Sequence, residues 1–242
     1  MNKVILIVDY NNVFTADQHS SDSIEQTFSA VVNAILTTYN DVDSILIRIY
    51  AGWYQGQQLT ARGSAIMAKL GTINPFPNVF EGRQVYGNIE IASQLYGVNK
   101  IWYNTYREKE GPRLLVNKDM DRTHCRNNKE NCPLEILTKF TKKNERVCST
   151  PGCTIQNKQV LIQYGQKMVD TMMACDVLSY AEDIDTKAIF VLSDDVDLFP
   201  AIVLSRCKNP DVDICIGTRN NLHTDDYNEL DFNYNIKTFL LT

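Results

Sequence analysis

The sequence predicts an α/β fold, a three-layer α/β/α sandwich with a mainly parallel sheet. Residues 4–8 and 188–192 are short, uninterrupted apolar runs, as expected of strands that are covered on both faces of a sheet. Segments with helical spacing of apolar residues lie between such runs and after them. Strands that alternate with helices along the chain favour a parallel sheet with helices packed against it.

The elements of the N-terminal half follow from local periodicity and from turn residues. The first strand covers residues 3–8, and Ser20, Ser21 and Asp22 offer caps for a helix that runs to about Tyr39. The next elements expected are a strand at 44–50, a helix at 57–70, a Pro/Gly/Asn-rich loop with at most a short strand at 71–87, a short helix at 89–95, an amphipathic third strand at 100–107 and a short strand at 114–116.

The chain changes character from residue 119 to residue 159, where apolar periodicity fades and four cysteines appear. We therefore predict an insertion at 119–159 within one domain made of 1–118 and 160–242. Regular order then resumes, with a helix at 166–181, a strand at 187–192, a helix at 197–206, a strand at 212–216 and a last strand at 236–241.

Bulk properties favour a cytoplasmic protein with no membrane segment. No apolar stretch approaches the roughly 18 residues that a bilayer span requires, and the N-terminus has no signal-peptide pattern. The net charge of −5 argues against indiscriminate nucleic-acid binding. Residues 99–158, however, hold 13 Lys/Arg against 7 Asp/Glu, a balance of +6, which leaves −11 for the rest. This asymmetry fits an acidic metal centre and a separate polyanion-binding segment, or chance differences between surfaces.

Two acidic clusters follow the two buried strands directly. The first contains Asp9 and Asn12, and the second contains Ser193, Asp194, Asp195 and Asp197. Ligands bind beyond the carboxyl ends of strands in open parallel sheets, so neighbouring strands would bring these carboxylates together. Converging carboxylates repel one another unless a cation lies between them, and Mg²⁺ takes oxygen ligands. The pattern predicts a divalent-metal site, although an Asp that follows a strand can also be a helix cap or turn residue.

A third piece of the pattern lies at the start of the 166–181 helix. Asp170 falls in the first turn, where the helix dipole favours a carboxylate, and Lys167 precedes it. Asp176 lies about 120° round the helix from Asp170, so we expect it to support the site or the fold.

These three pieces, in this order, resemble the NYN domain, a branch of the PIN-like nuclease superfamily. The resemblance covers roughly residues 1–50 and 160–241 and rests on Asp9, Asn12, Lys167, Asp170, Asp176, Ser193, Asp195, Asp197 and Pro200. The sequence departs from the family pattern at Met168 and Asp194, where glycine is usual, and at Leu198, where phenylalanine is usual.

The resemblance implies a metal-dependent nuclease that acts on RNA more often than on DNA. Asp9, Asp170 and Asp195 would hold Mg²⁺ or Mn²⁺, with Asp197 as a further catalytic carboxylate, and the ion would neutralise the phosphodiester and activate water. Asn12 and Lys167 would contact phosphate or metal-bound water, and Ser193, Asp176 and Asp194 would support the site.

Four of the seven cysteines belong to the predicted insertion. Cys125, Cys132, Cys148 and Cys153 suit a closed structural zinc site, with His124 as a substitute ligand, although four unrelated thiols are the alternative. Lys139, Lys142, Lys143 and Arg146 near Phe140 could grip nucleic acid or could lie on a solvated helix. Cys175, Cys207 and Cys215 are expected in the core.

Two other classes of function compete with a nuclease. One is a non-catalytic module that binds RNA or protein on a PIN-like fold, and the substitutions at Met168 and Asp194 favour it. The other is a phosphatase or phosphotransferase, against which Asp9 lacks a second Asp two residues on. Five aromatic residues could line a substrate groove, but most such side chains are core, so we assign them no role: Trp53, Tyr54, Trp102, Tyr103 and Tyr106.

Overall fold

The computed structural model describes residues 2–14, 21–73, 76–108, 115–116, 154, 161–162, 164–219 and 224–241. The chain divides into two compact units, one formed by Met1–Thr105 and Lys167–Thr242 and the other by Tyr106–Gln166. Within the predicted insertion at 119–159, Thr154 alone is described, so the proposed zinc ligands and the basic cluster lie outside the described residues.

The strands of the first unit begin immediately at the N-terminus and continue to the end of the chain. In chain order they are β1 (Lys3–Asp9), β2 (Ser44–Tyr50), β3 (Tyr54–Gln55), β4 (Gln58–Leu59), β5 (Asn78–Phe80), β6 (Arg83–Ile91), β11 (Thr186–Leu192), β12 (Asp213–Thr218) and β13 (Lys237–Leu240). The second unit contains β7 (Tyr106–Glu108), β8 (Leu115–Val116), β9 (Leu161–Ile162) and β10 (Tyr164–Gln166). In the second unit, β7 pairs with β10 and β8 pairs with β9, both antiparallel.

Seven strands of the first unit form one sheet in the order β13-β12-β11-β1-β2-β6-β5. All neighbours in it are parallel except β5 and β6, which pair antiparallel. The predicted α/β class with a mainly parallel sheet is therefore confirmed. The strands β3 and β4 form a separate small hairpin.

The helices connect these strands as expected of a parallel sheet. They are α1 (Tyr10–Val13), α2 (Ser21–Thr38), α3 (Ala61–Leu70), α4 (Val169–Ala181), a 3₁₀ turn (Val196–Leu198), α5 (Phe199–Lys208) and α6 (Thr224–Tyr234). Among the described helices, none combines the length and apolarity needed to cross a membrane.

The buried side chains form two clusters because successive residues of a strand point to opposite faces. Val4, Leu6 and Val8 of β1 belong to one cluster, together with the apolar stripe of α2. Ile5 and Ile7 belong to the other, together with residues of α4, α5 and α6. Both faces of the central strand are therefore buried, which explains its uninterrupted apolar sequence.

Several predicted boundaries are wrong. The helix expected at 57–70 begins at Ala61, where the Thr60 side chain caps it by accepting from Gly63 N–H at 3.0 Å, and the preceding residues form β4. The strand expected at 100–107 is reduced to β7, and the sheet instead takes β6 from a region that we expected to be loop and short helix. The 166–181 helix begins at Val169, and α6 had no predicted counterpart.

Candidate functional site

The candidate site lies where β1 and β11 end side by side. These strands are parallel neighbours, with Val8 opposite Leu192, so Asp9 and Ser193 are the next residues along each strand. From β1 the chain proceeds to β2 on one side, whereas from β11 it proceeds to β12 on the other. This reversal of direction is a topological switch point, the place where open α/β sheets bind ligands.

Asp9 is almost fully buried, with 2% of its surface exposed. Its Oδ1 accepts hydrogen bonds from the backbone N–H groups of Asn11 at 3.1 Å and Asn12 at 3.4 Å, which caps α1. Its Oδ2 accepts from the Asn12 side-chain amide at 2.9 Å. Asp9 is thus a helix cap, and its second oxygen is held by a side chain of the predicted site.

Ser193 joins the acidic segments that follow the two strands. Its hydroxyl oxygen accepts from Asn12 Nδ2 at 3.0 Å and from the Asp195 backbone N–H at 3.1 Å. The same hydroxyl donates to Asp9 Oδ2 at 3.5 Å. Asp9, Asn12, Ser193 and Asp195 are therefore brought together, although 184 residues separate Asp9 from Ser193 in the sequence.

The electrostatics of the site raise the pKa of Asp9 to about 6. Burial is the largest cause, and the negative charges of Asp170 and Asp195 raise the pKa further. The backbone hydrogen bonds from Asn12 and Asn11 oppose these effects. Because the charges of Asp170 and Asp195 reach Asp9, the three carboxylates that we predicted as metal ligands share one electrostatic environment.

The start of α4 carries Asp170 in its first turn, as predicted. Met168, the residue before the helix, has φ 66° and ψ −3°, a left-handed conformation that glycine adopts more easily than methionine. Lys167 is exposed, and its backbone N–H donates to the Thr105 carbonyl at 2.8 Å. The structure thus holds the start of α4 through backbone contacts, with the Lys167 side chain in solvent.

Asp194 and Asp197 have separate roles. Asp194 Oδ1 accepts from the Thr218 hydroxyl and, at 2.8 Å, from the Arg219 N–H, which connects it to the end of β12. Asp197 is exposed, and its N–H donates to Asp195 Oδ1 at 2.9 Å, so that Asp195 caps the 3₁₀ turn.

Asp176 belongs to a buried network on the α4 side of β2. Its Oδ2 lies 2.6 Å from Arg48 Nη1, and the two side chains are 0% and 2% exposed. The Tyr50 hydroxyl also donates to Asp176 Oδ2, and Tyr96 N–H donates to Oδ1 at 2.8 Å. Both carboxylate oxygens of Asp176 are therefore bonded to protein groups.

The donor set is chemically suited to a hard divalent cation, because the groups that converge are carboxylate and amide oxygens. In the described part of the chain, however, no three acidic, histidine or cysteine side chains are already gathered closely enough to hold a metal ion. Uncompensated carboxylates repel one another, and the charges of Asp170 and Asp195 add to the effect of burial in raising the pKa of Asp9.

Two residues were not assigned to the site from the sequence. Arg62, at the start of α3, donates from Nη1 to Asn11 Oδ1 at 2.9 Å. Tyr103 is 42% exposed, which corrects our expectation that it is core, whereas Trp53 is 1% exposed and is core. The expected helix at 57–70 concealed the β3–β4 hairpin, which contacts Tyr103 through Tyr54 and leads into the helix that carries Arg62, and no motif spacing marks these residues.

Comparison of the chain with protein-family models, with curated proteins and with solved structures finds no match.

Proposed function

We propose that this protein is a metal-dependent nuclease that hydrolyses phosphodiester bonds, with RNA favoured over DNA as the substrate. The observation that carries the proposal is the hydrogen-bonded convergence of Asp9, Asn12, Ser193 and Asp195 at a switch point of the sheet. The charges of Asp170 and Asp195, together with burial, raise the pKa of Asp9. A bound metal cation would offset the negative charge of these three carboxylates, which suits a metal-dependent enzyme.

In this proposal Asp9, Asp170 and Asp195 would hold Mg²⁺ or Mn²⁺. Asp197 would be a further catalytic carboxylate. The ion would offset the phosphodiester charge and lower the pKa of a bound water. Asn12 and Ser193 keep Asp9 and the Asp195 segment in place through their hydrogen bonds. The exposed Lys167 ammonium is available to a phosphate, and the basic excess of residues 99–158 would attract a polyanion.

The resemblance to the NYN branch of the PIN-like superfamily supports this function, and with it we propose the three-layer α/β/α arrangement. At Met168, where glycine is usual in the family, the backbone has a positive φ, a conformation that favours glycine. At Asp194, by contrast, the carboxylate has its own partners in Thr218 and Arg219. An acidic residue there is accommodated by β12.

A non-catalytic binding module is the second candidate, favoured by the capping roles of Asp9 and Asp195. One assay separates it from the nuclease. The purified chain would be incubated with labelled single-stranded RNA, single-stranded DNA and a small phosphate ester, with Mn²⁺ or with EDTA. A nuclease cleaves a polynucleotide with Mn²⁺ and not with EDTA. A non-catalytic binding module binds a polynucleotide without cleaving it, and a phosphatase hydrolyses the small phosphate ester.

The Asp195→Asn variant tests the site in the same assay. It keeps the size of the side chain and removes the charge, and we expect cleavage to fall by about 100-fold or more, as when a major electrostatic contribution is removed. Asp231→Asn is the matched control, because Asp231 is exposed on α6. Equal cleavage by wild type and Asp195→Asn would show that this site is not responsible.

We also propose a structural zinc held by Cys125, Cys132, Cys148 and Cys153, on the strength of sequence alone. Reduced protein should then contain about one zinc per chain by elemental analysis. Cys125→Ser should lower that content. Cys207→Ser should not, because Cys207 is an exposed free cysteine of α5, which corrects our expectation that it lies in the core.

A further inference from the structure

A pair of tyrosine rings, one of them exposed, links the β3–β4 hairpin to the segment that precedes Thr105. The rings of Tyr54 and Tyr103 meet edge to face, with centroids 5.3 Å apart and an interplanar angle of 84°. Tyr54 is half-buried, and Tyr103 is 42% exposed. One aromatic ring is therefore supported by a second and still presents surface to solvent.

The backbone holds this pair in place. Asn104, in a left-handed conformation with φ 61°, donates its N–H to the Gly56 carbonyl at 2.9 Å. The Gly56 N–H returns a hydrogen bond to Asn104 Oδ1 at 3.2 Å. The segment that carries Tyr103 is thus fastened to the tip of the β3–β4 hairpin by a reciprocal pair of hydrogen bonds, and the Tyr103 ring is presented from a fixed backbone.

The pair is connected to both sides of the acidic site. Buried Thr105 accepts from Tyr54 N–H through its hydroxyl at 3.1 Å and from Lys167 N–H through its carbonyl at 2.8 Å. Lys167 immediately precedes the helix that carries Asp170. On the other side, the Trp53 ring packs 5.5 Å from the ring of Tyr10, the residue after Asp9.

A positively charged side chain, Arg62, follows the hairpin; we call Arg62 and the Tyr54–Tyr103 pair together the rim. The hairpin leads into α3, whose Arg62 donates a 2.9 Å hydrogen bond to Asn11 Oδ1. A guanidinium has five N–H donors, so this contact orients Arg62 and leaves donors for a phosphate. Asn11 in turn donates its backbone N–H to Asp9. The hairpin is thus in contact with an exposed aromatic ring through Tyr54 and leads into the helix whose Arg62 is bonded to the segment that follows Asp9.

We infer that this rim binds an unpaired nucleotide of a polynucleotide, with its base on Tyr103 and an adjacent phosphate on Arg62. The inference rests on the proposed function and narrows its substrate to single-stranded segments. Aromatic rings bind bases through their π-faces with little sequence preference, and such a face is available only when the base is out of a duplex. A small phosphate ester would use neither residue fully.

Binding measured in EDTA tests this inference without requiring hydrolysis. Fluorescence anisotropy of the full chain would be recorded with four labelled 12-nucleotide probes: single-stranded RNA, single-stranded DNA, an abasic strand and a duplex. We expect Tyr103→Leu to weaken binding to the base-containing single strands about tenfold and binding to the abasic strand little. Tyr103→Phe should bind as wild type does. Comparison of the RNA and DNA probes shows which of the two polynucleotides the rim binds more tightly.

Arg62→Gln should weaken binding to the abasic and base-containing strands alike, by several-fold, because the phosphate is common to both. Tyr86→Ala and Lys69→Gln are the matched controls: Tyr86 is 60% exposed on β6, and Lys69 lies at the other end of α3. Thermal unfolding would verify that each variant is folded.

Unchanged binding by Tyr103→Leu, or equal losses on abasic and base-containing strands, would overturn the inference. So would the absence of polynucleotide binding by wild type, which would leave the tyrosine pair to a protein partner. Tyr103-dependent binding without any cleavage in Mn²⁺ would instead support the inference and refute the nuclease. If Tyr103→Leu cleaved polynucleotides as wild type does, the nuclease would be supported and the inference about Tyr103 would be refuted.

Discussion

Asn12 donates a 3.0 Å hydrogen bond from its side-chain amide to the hydroxyl of Ser193, across 181 positions of sequence. The same amide donates to Asp9, and the Ser193 hydroxyl also accepts from the backbone of Asp195. The ends of β1 and β11 are thus joined by neutral groups, which fix the positions of two carboxylates without neutralising either. This arrangement keeps the negative charge of the site available to a cation.

Replacing Ser193 should therefore disturb both stability and cation binding. Ser193→Ala leaves the Asp195 N–H without its acceptor and removes one partner of Asn12. We expect a loss of about 1–3 kcal/mol in the free energy of unfolding, the cost of an unsatisfied buried polar group, measured by urea denaturation. The affinity for Mn²⁺, followed by isothermal titration calorimetry, should also fall.

Ser205→Ala is the matched control for this change. Ser205 is also buried, at 1% exposure, and within the described residues its hydroxyl has no hydrogen-bond partner. Its removal should leave stability unchanged or slightly higher, and it should not alter Mn²⁺ affinity. If both serine variants behave alike, the bridging role of Ser193 is refuted.

Asp9 should make the stability of the metal-free protein depend on pH. Its pKa is about 6 in the folded protein against an ordinary value of 3.8, so the folded state binds the proton more tightly than the unfolded state does. The resulting stabilisation is fully present below about pH 4 and is lost as pH rises through about 6. Two pKa units correspond to about 3 kcal/mol at most.

The Asp9→Asn variant isolates this effect, because an amide does not titrate. In EDTA, its free energy of unfolding relative to wild type should rise between pH 4 and pH 8 by up to about 3 kcal/mol, as measured by urea denaturation at several pH values. Asp231→Asn, on the exposed face of α6, should show no such trend. A pH-independent difference for Asp9→Asn would mean that burial and the neighbouring charges do not raise the pKa of Asp9.

The central strands and the acidic residues after them could be predicted because burial on both faces leaves a local signature. Strand β1 is apolar throughout and Asp9 follows it directly, so the sequence alone indicates both the strand and the polar edge. The parallel pairing of β1 with β11 then made convergence of Asp9 and the Ser193–Asp197 segment a consequence of topology.

The outer part of the sheet could not be predicted because its signals are tertiary. Strand β6 contains Gly87, which suggests a loop in sequence. In the structure a Cβ at Gly87 would lie 2.5 Å from the Ile45 carbonyl oxygen and 2.7 Å from the Phe76 ring. The glycine thus permits close packing within the sheet, a requirement that no local pattern reveals. For the same reason Arg62 and Tyr103 were missed, since the hairpin that positions them depends on long-range contacts.

The left-handed backbone at Met168 predicts a stabilising substitution. An L-residue in this conformation costs about 1–2 kcal/mol, whereas glycine adopts it freely but loses about 0.5–1 kcal/mol through its greater freedom when unfolded. We expect Met168→Gly to raise the free energy of unfolding by about 0.5–1 kcal/mol. Met168→Ala is the control, because it shortens the side chain and retains the Cβ. Equal effects of the two changes would attribute the result to the side chain instead.

The two aspartates of α4 should separate function from stability. Asp176 pairs with Arg48 in a buried network. Asp176→Ala removes the fully buried partner of that guanidinium, which keeps Glu90 at 2.9 Å and the Gln94 carbonyl at 2.6 Å, and the loss should approach the roughly 3 kcal/mol typical of a broken buried pair. Asp170 is half-buried at the start of the helix and contributes negative charge to Asp9. Asp170→Asn removes that repulsion and also a carboxylate that the helix dipole favours, so the free energy of unfolding of the metal-free protein should change by less than about 1 kcal/mol.

Mn²⁺ affinity should show the opposite order. Measured by calorimetry at a temperature where both variants are folded, it should fall about tenfold or more for Asp170→Asn, which loses a ligand charge, and little for Asp176→Ala. The double variant Arg48→Met, Asp176→Leu should recover much of the lost stability, because an apolar pair can replace a buried ion pair. If Asp176→Ala lost Mn²⁺ affinity as strongly as Asp170→Asn while remaining folded, Asp176 would have to be counted among the groups that hold the cation.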